Sequence, residues 1–120
     1  MRFTFTATVL DSPDAVELAR FYQRLMGWEV RIEESDWVIL SAPDGGAGLS
    51  FQTETNYVRP VWPAGPTDPP MMMHLDIQVD DLDEAGAHAG GPGRLPRGVP
   101  AAGRCAGLSR PGGPSVLPLR

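Results

Sequence analysis

The character of the chain changes abruptly near residue 90, and a single hydrophobic core cannot be expected to run across that break. Residues 1–89 carry all fifteen acids and five of the ten Arg; residues 90–120 carry the other five Arg and no acid. The later segment also holds 8 of the 14 Gly and 6 of the 13 Pro, and it has no aromatic residue. Gly loses much backbone freedom on ordering, and Pro lacks an N–H to donate. Such a segment buries too little apolar surface to offset its ordering entropy. Residues 1–89 are therefore the part expected to fold, and residues 90–120 are expected to add no sheet like the one upstream.

Phe3, Phe5, Ala7 and Val9 alternate with Thr4, Thr6 and Thr8. Period two with aromatic and β-branched residues predicts a strand. Asp11-Ser12-Pro13-Asp14 then predicts a helix start, with an Asp or Ser cap and Pro in the first turn. Ala15, Leu18, Ala19, Tyr22, Leu25 and Met26 form one apolar helical face, and Gly27 suits the left-handed conformation that ends a helix. Trp28, Val30 and Ile32 alternate with charged residues in a second strand. Trp37 to Leu40 is a third, with Trp37 expected in the core. After the turn Pro43-Asp44-Gly45-Gly46, Gly48 to Glu54 is a fourth, with Leu49 and Phe51 on one face and Ser50, Gln52 and Glu54 on the other. Residues 1–54 thus read as a β-α-β-β-β module.

Residues 55–70 are a Pro-rich connection carrying Tyr57 and Trp62. Met71 to Val79 reads as a strand, with Met73, Leu75, Ile77 and Val79 on one face and Met72, His74, Asp76 and Gln78 on the other. Asp80 to Asp83 opens a second helix, which ends near Ala89. Superposing Val9 on Val79 sets Phe3, Phe5 and Ala7 on Met73, Leu75 and Ile77, and sets Thr4, Thr6 and Thr8 on His74, Asp76 and Gln78. Apolar meets apolar and polar meets polar, so residues 71–89 read as the start of a second copy of the module.

Net charge is −5, which argues against a nucleic-acid partner. No run of 18 apolar residues offers a membrane span. Met1 to Leu10 lacks the apolar stretch of a signal peptide, and Cys105 is the single cysteine, which leaves no internal disulfide. A cytoplasmic protein is expected.

Four segments together resemble the vicinal oxygen chelate superfamily of glyoxalase, bleomycin-resistance and dioxygenase proteins, in particular its glyoxalase-like subgroup. They are the strand followed by Asp11, Asp14, Phe21-Tyr22 and Met26-Gly27-Trp28; the turn Ala42-Pro43-Asp44-Gly45; the strand Gly48-Leu49-Ser50-Phe51-Gln52; and His74-Leu75-Asp76-Ile77-Gln78-Val79-Asp80-Asp81-Leu82-Asp83. The resemblance covers residues 1–89. It implies an α+β fold of paired βαβββ modules curled around a shared cavity, here with the second module incomplete. In many members, His, Glu or Gln on the cavity strands holds a divalent metal. The family would continue after residue 89 with the rest of a helix and three strands. Shifting the codons of Arg110 to Leu119 forward by one base permits Asp-Pro-x-Gly-His-Pro-Phe-Cys-Leu, which looks like the family's last turn and strand. Residues 90–120 are accordingly read as frameshifted, and the 120-residue chain is expected to be unstable alone.

The resemblance places His74 where metal-binding relatives carry a ligand. A catalytic metal needs about three protein ligands, and the repeat offers Thr4, a poor ligand, at the equivalent first-module position. Gln52 or Glu54 could contribute, while the last ligand would lie in the aberrant segment. The residues expected to line the cleft are Thr4, Gln52, Tyr57, Trp62, Met72 and His74, with His74 the candidate for a divalent metal. Tyr57 and Trp62 suit a lid over the cleft or the seam of a homodimer. Three functions stay open: metal-independent binding of a small, partly apolar molecule, as in an antibiotic-sequestering or accessory protein; a metal-dependent lyase, isomerase or dioxygenase; and a non-functional product of a broken frame.

Overall fold

The computed structural model describes residues 1–61, 64–89 and 115–119. They fall into two compact units, Met1–Tyr57 and a second that begins at Val58.

The first unit is the βαβββ module: β1 (Ala7–Ser12), α1 (Ala15–Met26), β2 (Glu29–Glu33), β3 (Trp37–Ser41) and β4 (Gly48–Thr53). The sheet order is β1-β4-β3-β2, with β1 parallel to β4 and the other neighbours antiparallel. Helix α1 starts because the Asp14 carboxylate accepts from the Glu17 N–H at 3.0 Å, satisfying one of the free donors of its first turn. It ends at Gly27, whose φ of 67° is left-handed and whose N–H donates to the Gln23 carbonyl. The cap therefore sits at Asp14. Asp11 and Ser12, expected at the helix start, are the last residues of β1, and Pro13 precedes the cap.

Ser12 ties this junction to the sheet. It is fully buried. Its hydroxyl accepts from the Asp14 N–H at 3.0 Å, and its carbonyl accepts from the Glu54 N–H at 2.9 Å. The Ala15 N–H donates to Thr53 Oγ1 at 3.1 Å. The entry of α1 is thereby pinned to the end of β4, at the opposite end of the sequence of the module.

The core lies between α1 and one face of the sheet. Ala15, Leu18, Ala19, Phe21 and Tyr22 meet Val38, Leu40, Leu49 and Phe51, all buried. Tyr22 stacks on Phe51 with ring centroids 5.5 Å apart and meets Phe21 edge-on at 5.2 Å. Leu25 and Met26, expected on the buried face, are half-buried near the helix end. Gly48 is the point of closest approach within the sheet. A Cβ there would collide with the Leu40 backbone carbonyl, so only glycine lets β3 and β4 pair in this register.

Burial pushes the Tyr22 phenol from its ordinary 10.0 up to about 12. The folded chain thus keeps a proton that the unfolded chain releases. The stability linked to this proton is fully present below about pH 10 and is lost as pH rises toward 12. A difference of about two units corresponds to roughly 3 kcal/mol at the alkaline end. Denaturant unfolding across that range should show this loss in the wild type, and it should be largely absent in Tyr22→Phe.

Two strands begin later than expected. The first was expected to include Phe3 and Thr4, yet β1 starts at Ala7, opposite Gly48, where β4 itself begins. Among the described residues no strand pairs with residues 1–5, and Thr6 joins only through its carbonyl, which accepts from the Gly48 N–H at 3.0 Å. Phe3 and Phe5 are 88% and 72% exposed. The strand expected from Met71 instead starts at Leu75, whose partner is Leu119, at the end of the opposing strand. Alternation sets the faces of a strand, but only a partner strand sets its length.

The second unit contains β5 (Leu75–Val79), α2 (Leu82–His88) and β6 (Ser115–Leu119). Helix α2 is capped by Asp81, which accepts from the Glu84 N–H at 2.8 Å. Leu75, Ile77 and Val79 are half-buried, while Asp76 and Gln78 are exposed, as period two requires. The segment read as aberrant supplies one described strand, β6, antiparallel to β5. It thus does take part in a sheet, which among the described residues has two strands, unlike the four-stranded sheet of the first unit. Before β5, the Pro-rich connection closes on itself: Val61 bridges Pro70, and the Asp68 carboxylate accepts from the Gly65 N–H at 2.9 Å.

Candidate functional site

The register of the first sheet separates its two faces. Phe51 packs on Tyr22 of α1, so its cross-strand partners Leu10 and Val38 share the helix-covered face. The alternate residues face away from the helix. Across the middle of that second face runs the row Val9, Ser50, Ile39 and Ile32, one residue from each strand. Beside it runs the row Asp11, Gln52 and Trp37. Val9 and Ile32 are exposed, Ile39 and Trp37 are half-buried, and Ser50 is buried. Trp37, expected in the core, belongs to this outer face because its neighbour Val38 takes the inward position.

The polar feature of the face is a cross-strand pair. The Gln52 Nε2 donates to Asp11 Oδ1 at 2.6 Å. Only the amide nitrogen can donate to a carboxylate, so the amide oxygen is left to accept from other donors. An apolar strip flanked by a fixed amide and a carboxylate can hold the body of a small molecule and hydrogen-bond its polar end. The sequence places Gln52 on the strand face opposite Leu49 and Phe51, and the register agrees. Asp11, expected at the helix cap, lies instead on this face of β1, in parity with Ala7 and Val9.

The other expected site residues are Thr4, Tyr57, Trp62, Met72 and His74. Thr4 is exposed in the segment before β1. Tyr57 is half-buried at the end of the first unit, where its N–H donates to the Glu54 carbonyl at 3.2 Å. Met72 and His74 belong to the second unit and precede β5; Met72 is 91% exposed. Trp62 lies outside the described residues, as does Cys105.

The His74 Nε2 lies 3.2 Å from Asp76 Oδ1, a contact that becomes an ion pair when the imidazole is protonated. As a metal centre this is one imidazole beside one carboxylate, both well exposed. Among the described residues no three His, Cys, Asp or Glu side chains gather around a point that could hold a metal ion. The described side chains thus do not fit a divalent centre of the superfamily's kind. Among the described residues, no helix is long and apolar enough to cross a membrane.

The model of the glyoxalase-like domain family matches residues 7–102. That match runs past residue 89, where the resemblance read from the sequence stops. No curated protein matches the chain. A solved structure described as that of a possible glyoxalase from Bacillus cereus is 15% identical, with a TM-score of 0.42. The match covers 49% of this chain and 53% of that one, so the chain spans about half the length of this relative.

Proposed function

The chain belongs to the glyoxalase-like domain family, and from that premise we propose that it binds a small, partly apolar molecule on the sheet face turned away from α1, without a metal. The observation that carries this reading is the Gln52–Asp11 hydrogen bond at 2.6 Å beside the row Val9, Ser50, Ile39 and Ile32. The row supplies apolar contact, and the fixed pair supplies direction. A ligand with an aromatic or aliphatic body and a hydrogen-bond donor at one end suits both. The residues that carry binding are Ile39, Trp37, Gln52 and Asp11. Such binding needs no covalent chemistry and no Lewis acid.

Titration with anilinonaphthalene sulfonate, a partly apolar fluorescent probe, tests the site. Ile39→Asp places a charge in the middle of the apolar row and should weaken binding by about tenfold or more, the equivalent of about 1.4 kcal/mol. Its unfolding transition should stay cooperative, which separates loss of the site from loss of the fold. Equal probe affinity in the wild type and in Ile39→Asp would defeat the proposal. Equilibrium dialysis against Zn²⁺ addresses the metal. Stoichiometric uptake that disappears in His74→Ala would replace this reading with a metal-dependent one.

A further inference from the structure

The turn between β3 and β4 carries the chain's one Asp-Gly step, Asp44–Gly45, and the chain has no Asn-Gly step. At such a step the glycine nitrogen meets least hindrance on its way to the aspartate carboxyl carbon, because no side chain crowds it. Residues 43–46 are exposed. Gly45 has a left-handed φ of 75°, and nothing lies within 4 Å of the position a Cβ would take there. The Asp44 Oδ1 accepts from the Gly46 N–H at 2.9 Å. That bond spans Gly45 and folds the carboxyl forward along the chain, so that a Cβ at Gly46 would lie 3.6 Å from Asp44 Cγ. The same N–H faces the oxygen on which negative charge grows when a nitrogen attacks Cγ, and a donor placed there stabilises the transition state. The other aspartates lack one part or another. Asp14 and Asp81 each accept from an N–H three residues ahead as helix caps, and Asp68 precedes a proline, which has no N–H. Every remaining aspartate is followed by a residue with a side chain.

We propose that Asp44 is a site of spontaneous covalent isomerisation in the folded chain, passing through a cyclic imide to an isoaspartyl linkage. The Gly45 nitrogen loses its proton and forms a bond to Asp44 Cγ, and a carboxyl oxygen leaves as water. Water then adds to one of the imide carbonyls. Addition at the Asp44 backbone carbonyl breaks its bond to the Gly45 nitrogen, and the chain now runs through Cγ. The water lost in the first step is regained in the second, and nothing is oxidised or reduced. The product has one more carbon in its backbone, and the former backbone carbonyl becomes a free carboxylate. Gly48 decides what this does to the fold. Its N–H donates to the Thr6 carbonyl at 3.0 Å, and a Cβ at its position would collide with the Leu40 carbonyl. Sliding β4 to absorb the extra length would bring a side chain into that place, so the register cannot yield. The turn must absorb the change instead. It loses the Gly46 bond to Asp44 Oδ1 and strains the 3.2 Å bond from the Gly45 N–H to the Ala42 carbonyl. The isomerised chain is therefore less stable. The site lies in the turn and does not depend on the ligand reading.

Prolonged incubation of the full chain at neutral pH in heavy-oxygen water, followed by peptide mapping, tests the proposal. The peptide carrying residue 44 should divide into two isomers, with one heavy oxygen in each molecule that has reacted. The isoaspartyl isomer should accept a methyl group from a protein isoaspartate methyltransferase. Asp44→Glu, whose larger ring closes poorly, should give neither signal. The aged chain should show a second unfolding transition at lower urea concentration, absent in aged Asp44→Glu. The rate in the folded chain should lie within about tenfold of the rate in the urea-unfolded chain, a barrier difference under about 1.4 kcal/mol. A slower folded-state rate would show that the turn protects the bond. That result, an isoaspartyl yield at residue 44 no greater than at another aspartate, or an isomerised chain with an unchanged unfolding curve would each overturn the proposal.

Discussion

Replacing Phe51 with alanine is expected to destabilise the first unit by about 3–5 kcal/mol, the usual cost of emptying a buried aromatic site. Phe51 is fully buried at the centre of the sheet face covered by α1. Its ring stacks on Tyr22, and its backbone pairs with both Leu10 and Val38. The cavity left behind would be lined by two strands and a helix whose positions are already pinned. Gly48 holds β4 against β3, and the hydrogen bonds at Ser12 and Thr53 fix the start of α1. Those constraints prevent collapse into the hole, which places the cost toward the upper end of the range. Urea unfolding followed by Trp fluorescence would read it. A loss under about 1 kcal/mol would mean that the packing of α1 on the sheet does not stabilise this unit. Comparison with Ile39→Asp is informative, because Ile39 neighbours the same strand but faces the other way. That variant should change binding far more than stability.

The elements of the first unit were largely legible because their signals are local. The cap at the start of α1, the left-handed Gly27 at its end and the alternation of Gly48 to Thr53 each depend on residues a few positions apart. What the sequence hid was non-local. Nothing within residues 1–10 says that the partner strand begins at Gly48, so Phe3 and Thr4 read as part of a strand they lie outside. Met71 to His74 were misread for the same reason, because β5 can extend only as far as β6 accompanies it. The row Phe3, Phe5, Ala7 and Val9 looks like a core face by composition. Register with β4 decides otherwise, since Leu10 shares the helix side with Phe51 and Val9 therefore faces away. The candidate site shows the same division. The face on which Gln52 lies follows from its strand parity, whereas Asp11 is separated from it by 41 positions and meets it only through the parallel pairing of β1 and β4.

Re-encoding the chain with its codons advanced by one base from about residue 90 is expected to give a markedly more stable protein. A βαβββ module needs three strands after its helix, as β2, β3 and β4 follow α1. After α2 the described residues include one strand, β6, and Pro118 stands within it opposite Asp76. A proline there contributes no N–H and confines the strand to an edge role. The half-burial of Leu75, Ile77 and Val79 fits a sheet with little on its apolar side. The shifted reading replaces Pro-Gly-Gly-Pro-Ser-Val-Leu-Pro with a sequence that offers one turn and then Phe-Cys-Leu, apolar residues able to cover that side. Each additional 100 Å² of apolar surface removed from water contributes about 2.5 kcal/mol. A few hundred Å² is thus comparable with the roughly 5–15 kcal/mol that separates a folded domain from its unfolded chain. Thermal unfolding of the two chains side by side decides the matter. The re-encoded chain should show a single cooperative transition at a clearly higher midpoint, and the 120-residue chain a lower or broader one. Cooperative transitions of similar midpoint in both would show that residues 90–120 are a native part of this fold. The extension of the family match to residue 102 would then mark a divergent second module, with β6 as its genuine closing strand.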